Sequence, residues 1–338
     1  MNTVNSFFCG AGGFDIGFIK AGFKVVAAYD FDRFAVESYR HNIGNHVQQA
    51  DVSKLTGKDI PFANGWLFGF PCQDISIAGK RKGMVAGETR SGLFFEIMRL
   101  LGEVEKKPSW ILAENVKMVK EFIPMIEEEY KKAGYRLVTP QLYNSKYWGL
   151  GQTRERYFLL GIREDIELDF SFPVEDRSSV TKLASVLEKA VDEKYYVPKE
   201  RADKIIIQAM EKAKARGGHD VDHSGMIEPP CGTIDKIGSM FGRSASGRCW
   251  NKNGISPTLT TSSGGYSQPL VLDDAADGYR VRRLTPREYA RLQGFPDSYQ
   301  QIVSDTQFYK QMGNAVSVNV AEAIAKTLFD TLTKASPF

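Results

Sequence analysis

At 338 residues with 42% hydrophobic side chains, the chain is long enough for a large domain plus a smaller one, each filling its own core. Its 44 Lys and Arg stand against 41 Asp and Glu, and a net charge of +3 is too small to name a polyanionic partner, so any such case must come from local charge. The cysteines, Cys9, Cys72, Cys231 and Cys249, form neither a Cys-x-x-Cys pair nor a disulfide framework, which argues against a small secreted scaffold and a zinc site and for a reducing, cytoplasmic setting. No apolar run reaches the roughly 18 residues of a membrane span, and no basic-then-apolar leader opens the sequence.

The first half alternates short apolar runs with amphipathic stretches, the pattern of a mostly parallel sheet covered by helices. The expected strands are Val4–Phe8, Lys24–Tyr29, Trp66–Phe68, Trp110–Ala113 and Tyr157–Ile162, and the expected helices are Phe14–Ala21, Asp32–Asn42, Gly92–Val104 and Lys120–Ala133. Between the first strand and helix, Phe8-Cys9-Gly10-Ala11-Gly12-Gly13-Phe14 clusters glycines that allow a tight turn and let a ligand approach the backbone. Asp15 stands where a third glycine would complete a dinucleotide fingerprint, which weakens a pyrophosphate reading and leaves a purely structural turn open. The second strand runs into Tyr29-Asp30-Phe31-Asp32, an acid where α/β sheets present one to ribose hydroxyls, followed by an aromatic able to stack on a base. Either acid could instead cap the next helix, and the two roles can be divided between them.

The third strand delivers Gly69-Phe70-Pro71-Cys72-Gln73 at its carboxyl end, the usual place for chemistry in an open α/β sheet. A cysteine there can be a nucleophile if nearby donors or cations lower its pKa, although a lone cysteine is often an inert core residue. Ile75–Arg90 then sets Gly79, Gly83 and Gly87 among Lys80, Arg81, Lys82 and Arg90, a basic loop suited to closing over phosphates, or a plain surface crossover. From about Asp169 to Tyr279 the periodicity fades. Between Asp235 and Asp273 there is no acid, while Lys236, Arg243, Arg248 and Lys252 alternate with Phe241 and Trp250: a loop facing phosphates, or an exposed basic loop without a partner. Val318–Leu332 has helical apolar spacing and should pack back on the first domain.

Gly69-Phe70-Pro71-Cys72-Gln73 with Ser76 resembles the nucleophile motif of the cytosine-5 DNA methyltransferases of prokaryotic and phage type. Other motifs of that family follow in order. Phe8–Gly13 is similar to its cofactor turn, Asp30 and Phe31 to its ribose acid and adenine-stacking aromatic, and Asp51 to the acid near the adenine amino group. Glu114-Asn115-Val116 resembles the catalytic glutamate motif and Gln152-Thr153-Arg154-Glu155-Arg156 the paired-arginine motif. Ser256–Thr260 is similar to a short element of many recognition domains, Arg283–Pro296 to the segment that organises them, and Gln311–Val316 to the last cofactor motif. Two departures stand out: Ser6 where the family commonly has Asp, and Asp74-Ile75 in place of the frequent Pro-Phe.

The resemblance implies an α/β, Rossmann-like S-adenosylmethionine-dependent methyltransferase sheet with a smaller, irregular target recognition domain. Residues 1–168 and 305–338 would carry catalysis and cofactor, and residues 169–304 recognition and hinge. It makes Cys72 the nucleophile, Glu114 the carboxyl at cytosine nitrogen 3, Arg156 a contact to the base oxygen that orients Glu114, and Arg154 a group near the target phosphate. Cofactor contacts would fall to Phe8, Gly10, Gly12, Gly13, Asp30, Phe31, Asp51, Val52, Pro71, Asn314 and Val316. DNA contacts would fall to Ser76, Lys80, Arg81, Lys82, Arg90, Arg243, Arg248, Thr258 and Leu259. The expected partners are double-stranded DNA and, functionally, a cognate restriction endonuclease, with S-adenosylhomocysteine as product and no metal. The expected setting is a cytoplasmic, nucleoid-associated monomer. Rival readings are a cytosine-5 methyltransferase acting on RNA, which the long recognition region disfavours, and a non-catalytic DNA-binding regulator, which need not keep Cys72, Glu114 and Arg156 together.

Overall fold

Apolar runs become the strands β1 (Thr3–Phe7), β2 (Lys24–Asp30), β4 (Gly65–Phe68) and β5 (Trp110–Val116), and the short, largely polar β3 (Val47–Gln49) pairs with β2. The computed structural model describes residues 2–71, 84–85, 90–203, 249–250, 254–261, 269–275 and 278–335. The five strands are parallel and hydrogen-bonded in the order β3-β2-β1-β4-β5. Then β6 (Tyr135–Leu137), β7 (Gln141–Asn144) and β8 (Glu155–Arg163) complete an eight-stranded sheet, with β8 antiparallel to β5 and both β6 and β7 antiparallel to β8. Strand order reverses between β1 and β4. In an open α/β sheet that switch point opens a crevice beyond the strands' carboxyl ends, and here those ends lead into the glycine turn and into Gly69-Phe70-Pro71.

Helices α1 (Gly13–Lys20), α2 (Arg33–Asn42), α3 (Leu93–Glu103) and α4 (Ile123–Lys132) follow their strands. The expected Lys120–Ala133 helix is divided: Lys117–Phe122 is a 3-10 helix, and the α-helix begins at Ile123 with Pro124 in its first turn, where a missing N–H costs nothing. One apolar layer joins Phe7, Tyr29, Trp66 and Ile111 of the sheet to Phe94 and Ile97 of α3 and Ile126 and Tyr130 of α4.

The chain divides into two compact units, one of Met1–Asn144, Glu155–Glu175 and Ala315–Phe338, the other of Ser145–Arg154 and Asp176–Asn314. The family resemblance implies borders near 168 and 304. The second unit holds β9 (Cys249–Trp250), β10 (Leu270–Ala275) and β11 (Gly278–Arg283), ordered β11-β10-β9 with β10 and β11 antiparallel, and the helices α5 (Pro286–Leu292) and α6 (Asp305–Asn314). Thr285 and Glu288 form a reciprocal capping box at the start of α5. Helix α7 (Val318–Ala335) returns to the first unit, where it packs on α1 as its apolar spacing demands. Among the described residues no helix is long and apolar enough to cross a membrane.

Candidate active site

The glycine turn leaves β1 through Phe8, whose φ of 56° is left-handed although it is not glycine. Such backbone costs roughly 1 kcal/mol or more and persists where the surroundings enforce it, often at functional sites. Gly10 and Gly12 are left-handed as well, and a side chain on Gly10 would meet nothing within 4 Å, so the turn faces open space. Asp30, at the end of β2, accepts the Gly10 amide at 2.8 Å on one carboxylate oxygen and the Asp32 amide at 2.8 Å on the other. Asp32 takes the capping role, accepting from Phe34 and Ala35 at the start of α2. The acids thus divide the work: Asp32 stabilises a helix, while Asp30 braces the turn. Next to it Phe31 leaves 76% of its surface exposed.

Asp51 caps a short 3-10 helix through Ser53, whose hydroxyl and amide hold its carboxyl below the ordinary range. Val52 is buried in the apolar layer under the sheet. The thiol of Cys9, inside the turn, is pushed well above its ordinary pKa by burial, then by the charges of Asp30 and Asp15, which makes it a poor nucleophile.

At the ends of β4 and β5, Glu114 is buried and its carboxylate lies 3.1 Å from Nε of Arg156 on β8. The antiparallel β5–β8 register, which pairs Val116 with Arg156 and Glu114 with Phe158, brings the two side chains together across neighbouring strands. Asn115 supplies a contact not anticipated from its motif: its side-chain amide donates to the Phe70 carbonyl at 2.9 Å, and its oxygen accepts the Val116 amide. This ties the end of β5 to the segment that runs through Pro71 into Cys72. A side chain at Gly69 would lie 3.6 Å from the Glu114 carboxylate and 3.9 Å from Val316, so this turn runs directly past the carboxylate.

In the second unit several motifs converge on one hydrogen-bonded cluster. Gln152 and Ser256 form a parallel bridge, the Thr258 hydroxyl donates to the Thr153 carbonyl at 2.7 Å, and the Leu259 amide donates to the Gln152 side chain at 2.8 Å. Gln152 in turn donates to the Leu292 carbonyl, and Gln293 to that of Met312. Arg154 is buried, with its terminal nitrogens donating to the carbonyls of Leu259 at 3.3 Å and Gly313 at 3.2 Å. Leu259 is 1% exposed. Arg154, Thr258 and Leu259 therefore brace this cluster, and Gln152 is a positioning residue visible in the motif but without a role assigned from sequence. Asn314 ends α6 and is exposed.

Cys72, Ser76, Lys80, Arg81, Lys82, Arg243 and Arg248 lie outside the described residues, and Arg90 opens a 3-10 helix. Among the described residues no group of His, Cys, Asp and Glu is arranged to hold a metal ion.

A family model described as C-5 cytosine-specific DNA methylase matches residues 2–330. The type II methyltransferase M.NlaX of Neisseria lactamica is 33% identical over 99% of both chains. The type II methyltransferase M1.ScrFI of Lactococcus lactis subsp. cremoris is 32% identical, covering 97% of this chain and 78% of its own. Among solved structures, the Dnmt2 methyltransferase of S. pombe matches with a TM-score of 0.71 at 21% identity, covering 98% of this chain and 100% of that one, a likeness of fold.

Proposed function

This chain belongs to the C-5 cytosine-specific DNA methylase family and is a DNA cytosine methyltransferase; from that premise we propose that it methylates carbon 5 of a flipped-out cytosine, within a specific short duplex sequence, through a covalent Cys72 adduct. The observation that carries this reading is the buried Glu114 carboxylate held by Arg156, beside a strand end that Asn115 ties to the residues preceding Cys72. Cytosine carbon 5 is too weak a nucleophile to act unaided, so the Cys72 thiolate adds to carbon 6 and makes carbon 5 electron-rich. Glu114 holds a proton at nitrogen 3, compensating the negative charge that builds on the ring, and Arg156 orients Glu114 and contacts the base oxygen. Carbon 5 takes the methyl group, a base removes its proton, the 5,6 double bond re-forms and Cys72 leaves as thiolate. The attacked face is hidden in a duplex, so the base must first leave the stack at a cost of a few kcal/mol.

S-adenosylmethionine, when bound, supplies an electrophilic methyl group. The open turn over Gly10, the bracing acid Asp30 and the exposed ring of Phe31 fit an adenosine-bearing ligand. Phe8, Gly10, Gly12, Gly13, Asp30, Phe31, Asp51, Val52, Pro71, Asn314 and Val316 make up its proposed site. Arg154, buried in the second unit, would act by positioning the recognition segments that follow it. Residues 1–168 and 305–338 would carry catalysis and 169–304 recognition. The type II names of the relatives support protection of DNA from a cognate restriction endonuclease. The proposed form is a monomer acting in the cytoplasm at the nucleoid.

The test is transfer of labelled methyl from S-adenosylmethionine to unmethylated duplex DNA by wild type and Cys72→Ser, followed by bisulfite sequencing. We expect methylcytosine confined to one short motif and lost in the variant, and a covalent complex of wild type with a 5-fluorocytosine duplex. No transfer by folded protein to DNA, with transfer to RNA instead, would overturn the substrate.

A further inference from the structure

We propose that Asp15 is a positioning residue for the cofactor turn, its carboxylate locking Tyr39 beneath Gly12 and so fixing the loop that receives S-adenosylmethionine. The inference rests on that reading of the cofactor.

Asp15 lies in the first turn of α1 and is wholly buried. One carboxylate oxygen accepts the Ser6 hydroxyl at 2.6 Å and the other accepts the Tyr39 hydroxyl at 2.7 Å. The Tyr39 oxygen is also 3.0 Å from Nε2 of His46, and since the single tyrosine proton goes to Asp15, His46 donates in that contact. The chain of hydrogen bonds joins the end of β1, the start of α1, α2 and the residue preceding β3. Its centre lies against the turn: a side chain on Gly12 would clash with Cδ1 of Ile43 and come 3.0 Å from two carbons of the Tyr39 ring, and Gly12 has a φ of 85°. The turn is thus held by Asp30 at the Gly10 amide and by Ile43 and the Tyr39 ring under Gly12.

A buried carboxylate is costly, and burial does push the Asp15 carboxyl up to about 6 against the pull of its two hydroxyl partners. An apolar residue would fill the same space more cheaply, so the charge is retained for what it orients. Ser6 makes the assignment specific. Its hydroxyl touches the Asp15 carboxylate, so placing the acid at position 6 and the hydroxyl at position 15 exchanges the two groups at one point in space.

The experiment compares calorimetric binding of S-adenosylhomocysteine, thermal melting and steady-state kinetics for wild type, Asp15→Asn, Tyr39→Phe and the exchange Ser6→Asp/Asp15→Ser. Asn cannot accept from both hydroxyls, and Phe keeps the ring while removing the link. Each single variant should weaken binding by about tenfold or more, the scale of a lost hydrogen bond to a charged group. The loss should fall on KM for S-adenosylmethionine rather than on kcat. The exchange should recover most of the affinity. If Asp15→Asn does not fold, Tyr39→Phe decides. Wild type that fails to bind sinks the cofactor reading and this inference with it. Wild type that binds while the folded variants bind equally well, or lose kcat instead of affinity, overturns the role of Asp15 alone.

Discussion

Burial raises the Asp15 carboxyl to about 6, and the hydroxyls of Ser6 and Tyr39 only partly oppose it. An acid whose folded pKa lies above its unfolded value, about 4, binds its proton more tightly when folded. Its contribution to stability is fully present below about pH 4 and is lost as pH rises through about 6. A shift of about two units corresponds to roughly 3 kcal/mol. Asp15→Asn removes this titration and leaves the other carboxylates in place. Urea unfolding of wild type and variant between pH 4 and 7 should therefore show the difference moving in favour of the variant by about that amount as pH rises. A difference constant with pH would mean that the Asp15 carboxyl does not titrate in this window. At this scale, the pairing of Glu114 with Arg156 was legible from the family pattern, and the two side chains do meet, at 3.1 Å. What was not legible were partners distant in sequence. No local pattern announces that Asn115 holds Phe70, or that Asp15 reaches back to Ser6 and across to Tyr39.

Elements with a strong periodic signal were found within a residue or two, as β1, β2, β4, α1, α2 and α3 illustrate. Among those that escaped are β3, β6 and β7, strands of three or four residues too short to carry an apolar run. Helix α5 also escaped, although Thr285-Pro286-Arg287-Glu288 spells both a capping box and a first-turn proline, a start signal that can be read without any periodicity. That helix is anchored by Arg282, whose side chain is 0% exposed. Arg282 on β11 makes paired hydrogen bonds to Glu288 at 2.8 and 2.9 Å and another to Asp273 of β10 at 2.7 Å. Burial pulls its pKa down, but hydrogen bonding and charge from Glu288 and Asp273 more than reverse this, so the guanidinium stays charged. Glu288 also accepts the backbone amides of Thr285 and Glu188. Arg282→Met should cost about 3–5 kcal/mol, because it strands a buried carboxylate, whereas Arg282→Met/Glu288→Leu should cost much less than the sum of the single changes. Denaturant titration of the variants checks this, and strictly additive losses would show that the ion pair does not act as a unit.

Across the whole molecule the chain does not finish one unit before starting the other. It leaves the first unit after Asn144, returns at Glu155, leaves again after Glu175 and comes back at Ala315. The unit that β1 and α1 begin is therefore completed only by the segment from Ala315 on, a connection of high contact order that cannot form until that segment has been synthesised. The joint is tight. A Cβ on Gly17 of α1 would lie 2.6 Å from Cβ of Ala321, so the helices meet nearly backbone to backbone, Phe329 packs edge-on against Phe23 at 5.7 Å, and Lys20 pairs with Glu322 at 2.6 Å. Helix α7 buries Val318, Val320, Ile324, Leu328 and Leu332, and each buried aliphatic side chain contributes about 1.5–3 kcal/mol. Their sum is comparable to the roughly 5–15 kcal/mol by which a whole domain is stable. A chain ending at residue 314 should consequently fail to reach the native state, with Phe18 and Phe23 of the first unit uncovered, and should appear as aggregate or as a protein without a cooperative thermal transition. Co-expression of the segment 315–338 should restore a soluble, cooperatively melting protein, since the missing surface is contiguous and local to one helix. A truncated chain that melted cooperatively near the wild-type temperature would show that the sheet and its other helices suffice, and that α7 is an addition to a first unit already complete without it.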